Sequence, residues 1–193
     1  MKSLPYRIAI FASGNGSNAQ RIAEYFSEKS IAEVALIVSN RKDAYALERA
    51  EALQIPTHCL SKEQFTEGED VLALLREYCI DFVVLAGFLL LIPQKLIQAF
   101  PNAIVNIHPA LLPKFGGKGM YGSRVHEAVI AAKEKESGIT VHFVNEKYDD
   151  GTHILQATCP ITATDTPDTL AEKIHQLEYE FFPKAIEKVL NLS

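Results

Sequence analysis

Asn106 and His108 close an apolar run that begins at Ala103, and Pro109 and Pro113 follow at once. Residues two apart on a strand project from the same face. An amide and an imidazole would therefore leave this strand end side by side, with the prolines stiffening the turn beyond them. No nucleophilic Ser or Cys motif adjoins the pair. An amide donor beside an imidazole suits stabilisation of charge developing on a carbonyl oxygen, with His108 giving a hydrogen bond or proton and Asn106 holding the oxygen. The same two residues could equally cap the strand end and bond local backbone.

Such a pair gains from a carboxylate, and Tyr148-Asp149-Asp150-Gly151 offers two. An acidic pair before glycine is ordinary turn chemistry. An Asp near His108 would also raise the imidazole's pKa and favour its donor form, and His142, on the strand leading into this turn, could bridge them or serve as a satisfied core histidine. His58, His126, His153 and His175 lack the paired spacing of metal ligands and are assigned to surface or packing. No metal is expected.

A third segment, Ala12-Ser13-Gly14-Asn15-Gly16-Ser17-Asn18, ends an apolar run and precedes a helical pattern. Its glycines allow a tight turn, Ser17 or Asn18 can cap the helix, and the exposed amides would form an anion site suited to phosphate. It matches neither the dinucleotide Gly-x-Gly-x-x-Gly pattern nor a Walker loop, and an ordinary Gly-rich turn remains an equal reading.

What must position these segments is an alternation of short apolar runs, at 8–12, 34–38, 82–86 and 103–107, with helical patterns at 18–29, 44–53, 70–78 and 93–99. Continuous apolar runs suit strands buried on both faces of a parallel sheet. Ser61 with Gln64 predicts a capping box, and Thr166-Pro167 a helix start. The chain is therefore read as α/β, with an open, mostly parallel, doubly wound sheet, in which ligands bind beyond the carboxyl ends of the strands. After about residue 135, runs at 139–144 and 154–157 predict an antiparallel extension, and a closing helix is expected from Thr166 to about Leu190.

With 193 residues and 48% hydrophobic content, residues 1–193 are expected to form a single domain with a packed core. Net charge is -5 with dispersed cations, which argues against nucleic acid as a partner. Cys59, Cys79 and Cys159 show no pairing pattern and are read as three buried thiols in a reducing compartment. The start, Met1 to Arg7, has no signal-peptide pattern, and no apolar stretch approaches the roughly 20 residues that span a bilayer. A cytoplasmic protein without membrane association is expected.

Together, Ser13-Gly14-Asn15-Gly16-Ser17-Asn18, Leu85-Ala86-Gly87-Phe88, Asn106-Ile107-His108-Pro109-Ala110-Leu111-Leu112-Pro113 and Asp149-Asp150-Gly151 closely resemble the folate-dependent formyltransferases, in order and over nearly the whole chain. The resemblance implies a Rossmann-like formyltransferase fold and 10-formyltetrahydrofolate as cosubstrate. The Gly-Asn-Gly-Ser-Asn loop points, within the family, to formylation of the amine of 5'-phosphoribosylglycinamide in de novo purine biosynthesis, by direct attack through a tetrahedral intermediate. It also implies Asn106, His108 and Asp149 as catalytic, Gly16, Ser17 and Asn18 at the phosphate, and Glu178 at the glycinamide end. Leu85, Leu90, Leu91, Ile92, Leu96, Ile97, Ile104 and Val144 would line the folate pocket. Small-molecule substrates and a monomer or homodimer are expected.

Three departures from the family pattern stand out. Leu90 occupies a position where better-known bacterial members have Arg, which removes a side-chain contact to the folate end. Asp-Asp-Gly-Thr replaces Asp-Gly-Gly-Pro, which makes Asp150 a rival to Asp149. Residues 115–122 are long and glycine-rich, which suggests a mobile flap. The alternatives are a formyltetrahydrofolate hydrolase, a formyltransferase acting on another amine such as that of methionyl-tRNA, or a non-catalytic phosphosugar-binding module; the extra domains usual in the hydrolase and the tRNA enzyme find no room here.

Overall fold

The computed structural model describes residues 5–192; Met1 to Leu4, most of the segment read for a signal peptide, lie outside them. Five strands form a parallel block: β1 (Tyr6–Phe11), β2 (Ala32–Ser39), β3 (Thr57–Cys59), β4 (Phe82–Leu85) and β5 (Ile104–His108). β6 (Glu136–Phe143) and β7 (His153–Pro160) extend it antiparallel, giving the order β3-β2-β1-β4-β5-β6-β7. The helices are α1 (Ser17–Ser27), α2 (Tyr45–Ala52), α3 (Lys62–Glu67), α4 (Glu69–Glu77), α5 (Gln94–Ala99), α6 (Ser123–Ala131) and α7 (Pro167–Leu192).

The apolar runs are continuous because the sheet is covered on both faces. Ile8 and Ile10 join Ile22, Phe26, Ile174 and Phe182 in one buried cluster. Ala9 and Phe11, which alternate with them along the strand, join Phe65, Val71, Leu75 and Leu96 in the other. Alternate side chains of one strand thus enter different cores.

Strand order reverses at β1, whose neighbours are β2 and β4. Connections leaving the carboxyl ends of β1 and β4 diverge there and open a crevice. Into it run residues 12–16 after β1, 86–93 after β4 and 109–122 after β5. The β6–β7 hairpin lies beside β5, pairing His142 with Asn106 and Thr140 with His108. The register therefore sets His142 next to the chemistry-bearing strand end.

The Ser61–Gln64 capping box forms reciprocally, and Thr166 and Thr169 exchange bonds at the start of α7. Pro183 within α7 has no N–H to offer the carbonyl of Tyr179; Arg21 on α1 takes that oxygen at 3.4 Å. Two expectations need correcting. Neither Ser17 nor Asn18 caps α1, which starts from Gly16 in the left-handed region with no side-chain cap. The thiols are not all buried: Cys59 and Cys159 are partly covered, and Cys79 is exposed at a left-handed turn after α4.

Candidate active site

A cleft of about 730 Å³ lies at the reversal point, lined by residues from all three connections, from the β6–β7 turn and from α6 and α7. At one end stands the loop after β1. Ser13 Oγ donates to Asn40 Oδ1 at 2.6 Å and accepts the Leu89 amide at 3.0 Å, tying this loop to the one after β4. Gly16 has φ 75°, and a Cβ there would sit 2.5 Å from Ala46 Cα. Only glycine fits this turn. With no side-chain cap, the first amides of α1 are open to an anion, and Gly16, Ser17 and Asn18 all line the cleft beside Arg41.

Asn18 also reaches across to α7, where its side-chain amide donates to Glu178 Oε2 at 2.9 Å. Glu178 is 7% exposed, and burial raises its pKa against the opposing effects of Asn18 and His175. The carboxyl on α7 is thereby joined to the start of α1 at the cleft wall.

At the other end, β5 delivers Asn106 and a buried His108, and the β6–β7 turn brings Asp149 to both. Asp149 Oδ2 lies 3.4 Å from His108 Nδ1, and Oδ1 accepts from Asn106 Nδ2 at 3.5 Å. The Gly117 amide donates to Oδ2 at 2.9 Å. Asp149 adopts φ 53°, a region Asp enters more readily than most residues. Gly151 makes the turn possible, since a Cβ there would meet the Phe143 carbonyl oxygen at 1.7 Å. Asp150 points elsewhere, exposed, accepting from Asn145 at 3.2 Å. Of the two carboxylates only Asp149 reaches His108.

Hydrogen-bond partners fix the imidazoles. His142 Nδ1 is 2.8 Å from the Phe143 carbonyl and must donate to it, so in the neutral ring Nε2 accepts from Asn106 Nδ2 at 3.2 Å. Asn106 thus gives one amide hydrogen to His142 and directs the other at Asp149 Oδ1, a longer contact of 3.5 Å that is the weaker of the two. His108 Nε2 donates to the Phe115 carbonyl at 2.8 Å, leaving Nδ1 as the nitrogen that faces Asp149. Two acceptors then meet at 3.4 Å, a geometry that welcomes a proton.

Burial lowers the pKa of His108, and neighbouring His142 adds to this; Asp149 and the Phe115 carbonyl oppose them without prevailing. The direction is the reverse of that expected from the sequence, because desolvation of the imidazolium outweighs attraction to the carboxylate. For Asp149, burial raises the pKa, but contact with His142, the field of His108 and the Gly117 amide together hold it below its ordinary value. The resting pair is a neutral imidazole beside a carboxylate.

Leu85, Leu90, Leu91, Ile92 and Val144 line the cleft with Leu89 and Phe88, and Phe88 rests on Phe11 and Phe65 at centroid distances of 5.4 and 4.9 Å. Leu96 and Ile104 do not line it: they lie in the core beneath, with Ile97 packed against the same cluster. The flap residues Gly117 to Gly122 form a wall of the cleft, and Phe115 and Gly117 bond His108 and Asp149 directly. His126 and His175, assigned by sequence to surface or packing, also line the cleft; helical periodicity gave no sign that α6 and α7 turn these faces toward it. Among the described residues no group of three or more His, Cys, Asp or Glu side chains is arranged to hold a metal, and no helix is long and apolar enough to cross a membrane.

This fold and this cleft accord with the resemblance seen in the sequence, and residues 6–186 match the formyl transferase family. The chain belongs to that family. It is 43% identical over 186 residues to the chloroplastic phosphoribosylglycinamide formyltransferase of Arabidopsis thaliana, covering 93% of this chain and 64% of that protein. Against the phosphoribosylglycinamide formyltransferase of Bacillus subtilis it is 36% identical over 192 residues, covering 97% and 96%. The crystal structure of phosphoribosylglycinamide formyltransferase from Anaplasma phagocytophilum superposes with a TM-score of 0.90 at 32% identity, covering 97% of this chain and 88% of that one.

Proposed function

We propose that this chain transfers the formyl group of 10-formyltetrahydrofolate to the amine of 5'-phosphoribosylglycinamide, a step of de novo purine synthesis. The convergence of Asn106, His108 and Asp149 in one cleft, opposite the open start of α1, carries the reading. The named activity of the relatives supports it. With phosphate on the amides at Gly16 to Asn18, and the glycinamide end passing Glu178, the acceptor amine reaches the Asn106 end. The apolar wall of Leu85, Leu90, Leu91, Ile92 and Val144 suits a flat pterin ring.

The amine nitrogen attacks the formyl carbon, and the carbonyl electrons move onto oxygen. The Asn106 amide hydrogen that Asp149 holds only at 3.5 Å turns to that oxygen, and the His108 ring stabilises it by its charge once it gains a proton. The amine proton passes to the gap between His108 Nδ1 and Asp149, which generates the imidazolium that burial disfavours at rest. Collapse restores the carbonyl, breaks the bond to N10 and returns a proton to that nitrogen. Providing a neutral amine costs only about 1.4 kcal/mol for a group with a pKa near 8, whereas a single oxyanion donor is worth roughly 2.7–4 kcal/mol. Charge stabilisation is the larger demand.

On this reading the chain is one formyltransferase domain, working in the cytoplasm on small molecules as a monomer or homodimer. Purified protein should form the formylated ribonucleotide from the two substrates and leave 10-formyltetrahydrofolate intact without the acceptor. Rapid hydrolysis of the donor in the acceptor's absence would favour a hydrolase, and binding of ribonucleotide without turnover would favour a phosphosugar-binding module.

A further inference from the structure

His126 has no part in the formyl-transfer steps, yet it sits in the first turns of α6 on the cleft wall, only 6% exposed. Its Nδ1 is shielded from solvent and has no hydrogen-bond partner among the described residues. A buried polar atom left unpaired calls for an explanation. Burial keeps the ring neutral near pH 7, and the charges of His175 and His108 act in the same direction. A neutral imidazole carries one N–H and one lone pair, and an orphaned N–H is the costlier of the two to bury. The proton therefore belongs on Nε2, which makes that edge a donor.

Position gives the donor a use. α6 packs against α7, and His126 lies within electrostatic reach of both His175 and His108. One turn beyond His175 comes Glu178, bound to Asn18 at the anion loop. Asn18, Glu178, His175, His126 and His108 all line the one cleft that holds the anion loop and the reacting centre.

Resting on the function proposed above, we propose that His126 donates a hydrogen bond from Nε2 to an oxygen of the acceptor ribonucleotide between its phosphate and its amine, fixing how far the amine reaches toward the formyl carbon. The acceptor atom is a sugar hydroxyl or the glycinamide carbonyl. His126 is then a determinant of acceptor binding rather than of donor binding.

The test combines spectroscopy on the unaltered protein with kinetics. In ¹⁵N-labelled protein, 5'-phosphoribosylglycinamide should shift the His126 ring nitrogens. Ribose 5-phosphate should shift them too if the sugar is the partner, and leave them unmoved if it is the carbonyl. His126→Phe should raise KM for the ribonucleotide about tenfold, the factor for the loss of one hydrogen bond near the upper end of its usual strength, with KM for the folate unchanged. His126→Gln, which retains an N–H donor, should recover part of the loss. Ring signals indifferent to both ligands would overturn the inference, as would a ribonucleotide KM unchanged in His126→Phe. Absence of formyl transfer by the unaltered protein would instead strike the proposed function, and the ring shifts with ribose 5-phosphate and the ribonucleotide would still decide the binding role.

Discussion

His108 Nδ1 and Asp149 Oδ2 face each other at 3.4 Å, while His108 Nε2 is engaged by the carbonyl of Phe115. That arrangement gives the neutral imidazole no proton to share with the carboxylate. The pair is built to receive one. Asp149→Asn should therefore lower kcat by about 10²–10⁴, the usual range for a lost acid–base group, with ribonucleotide affinity preserved. Asp150→Asn, whose carboxylate is exposed and remote from His108, should keep near-normal turnover. Equal losses in the two variants would contradict the assignment.

Asn106→Ala removes the amide whose second hydrogen, held by Asp149 only at 3.5 Å, can turn to the cleft. Steady-state kinetics should show kcat reduced by roughly 10²–10³, in the range for one oxyanion donor, with ribonucleotide KM changed far less. A rise in KM at constant kcat would reassign Asn106 to ground-state binding.

Gly16→Ala sets a methyl group against Ala46 and forces a side chain into a left-handed backbone. Denaturant unfolding should show a loss of about 1–3 kcal/mol, and calorimetry should show weakened ribonucleotide binding as the amides of α1 are displaced. Unchanged stability and affinity would mean that the turn is not held as described.

Burial lowers the pKa values of His108 and His126 from 6.5. Between the folded and unfolded values the unfolded chain binds more protons, so their contribution is fully present above pH 6.5 and is lost as pH falls through the folded values. Thermal stability should decline as pH is lowered from about 7 toward about 5, and less steeply in His108→Asn. An identical slope in that variant would show that His108 titrates alike in both states.

Much of the fold was legible because strands buried on both faces must be apolar at every position, as Ile8, Ala9, Ile10 and Phe11 are. The site was legible where strand geometry alone places side chains, as at Asn106 and His108. It was not legible where tertiary packing decides. Leu96 and Ile104 have the character of a pocket lining but fall into the core, because α5 turns Leu96 beneath the cleft and Ile104, on the same face of β5 as Asn106 and His108, stands at the start of the strand, below the cleft at its carboxyl end. Asp149 and Asp150 differ only in which one the left-handed turn aims inward. His126 and His175 looked like surface or packing residues because a lone histidine on a helix does not disclose which wall that helix will form. The direction of the His108 shift needed the extent of its burial, which no spacing conveys.

The most direct measurement is turnover by His108→Ala with 10-formyltetrahydrofolate and 5'-phosphoribosylglycinamide, alongside the variant's ribonucleotide affinity. A fall in kcat of at least about 10², with affinity within a few-fold of the unaltered protein, is the predicted result. Near-normal turnover would contradict a mechanism centred on His108 and its partners.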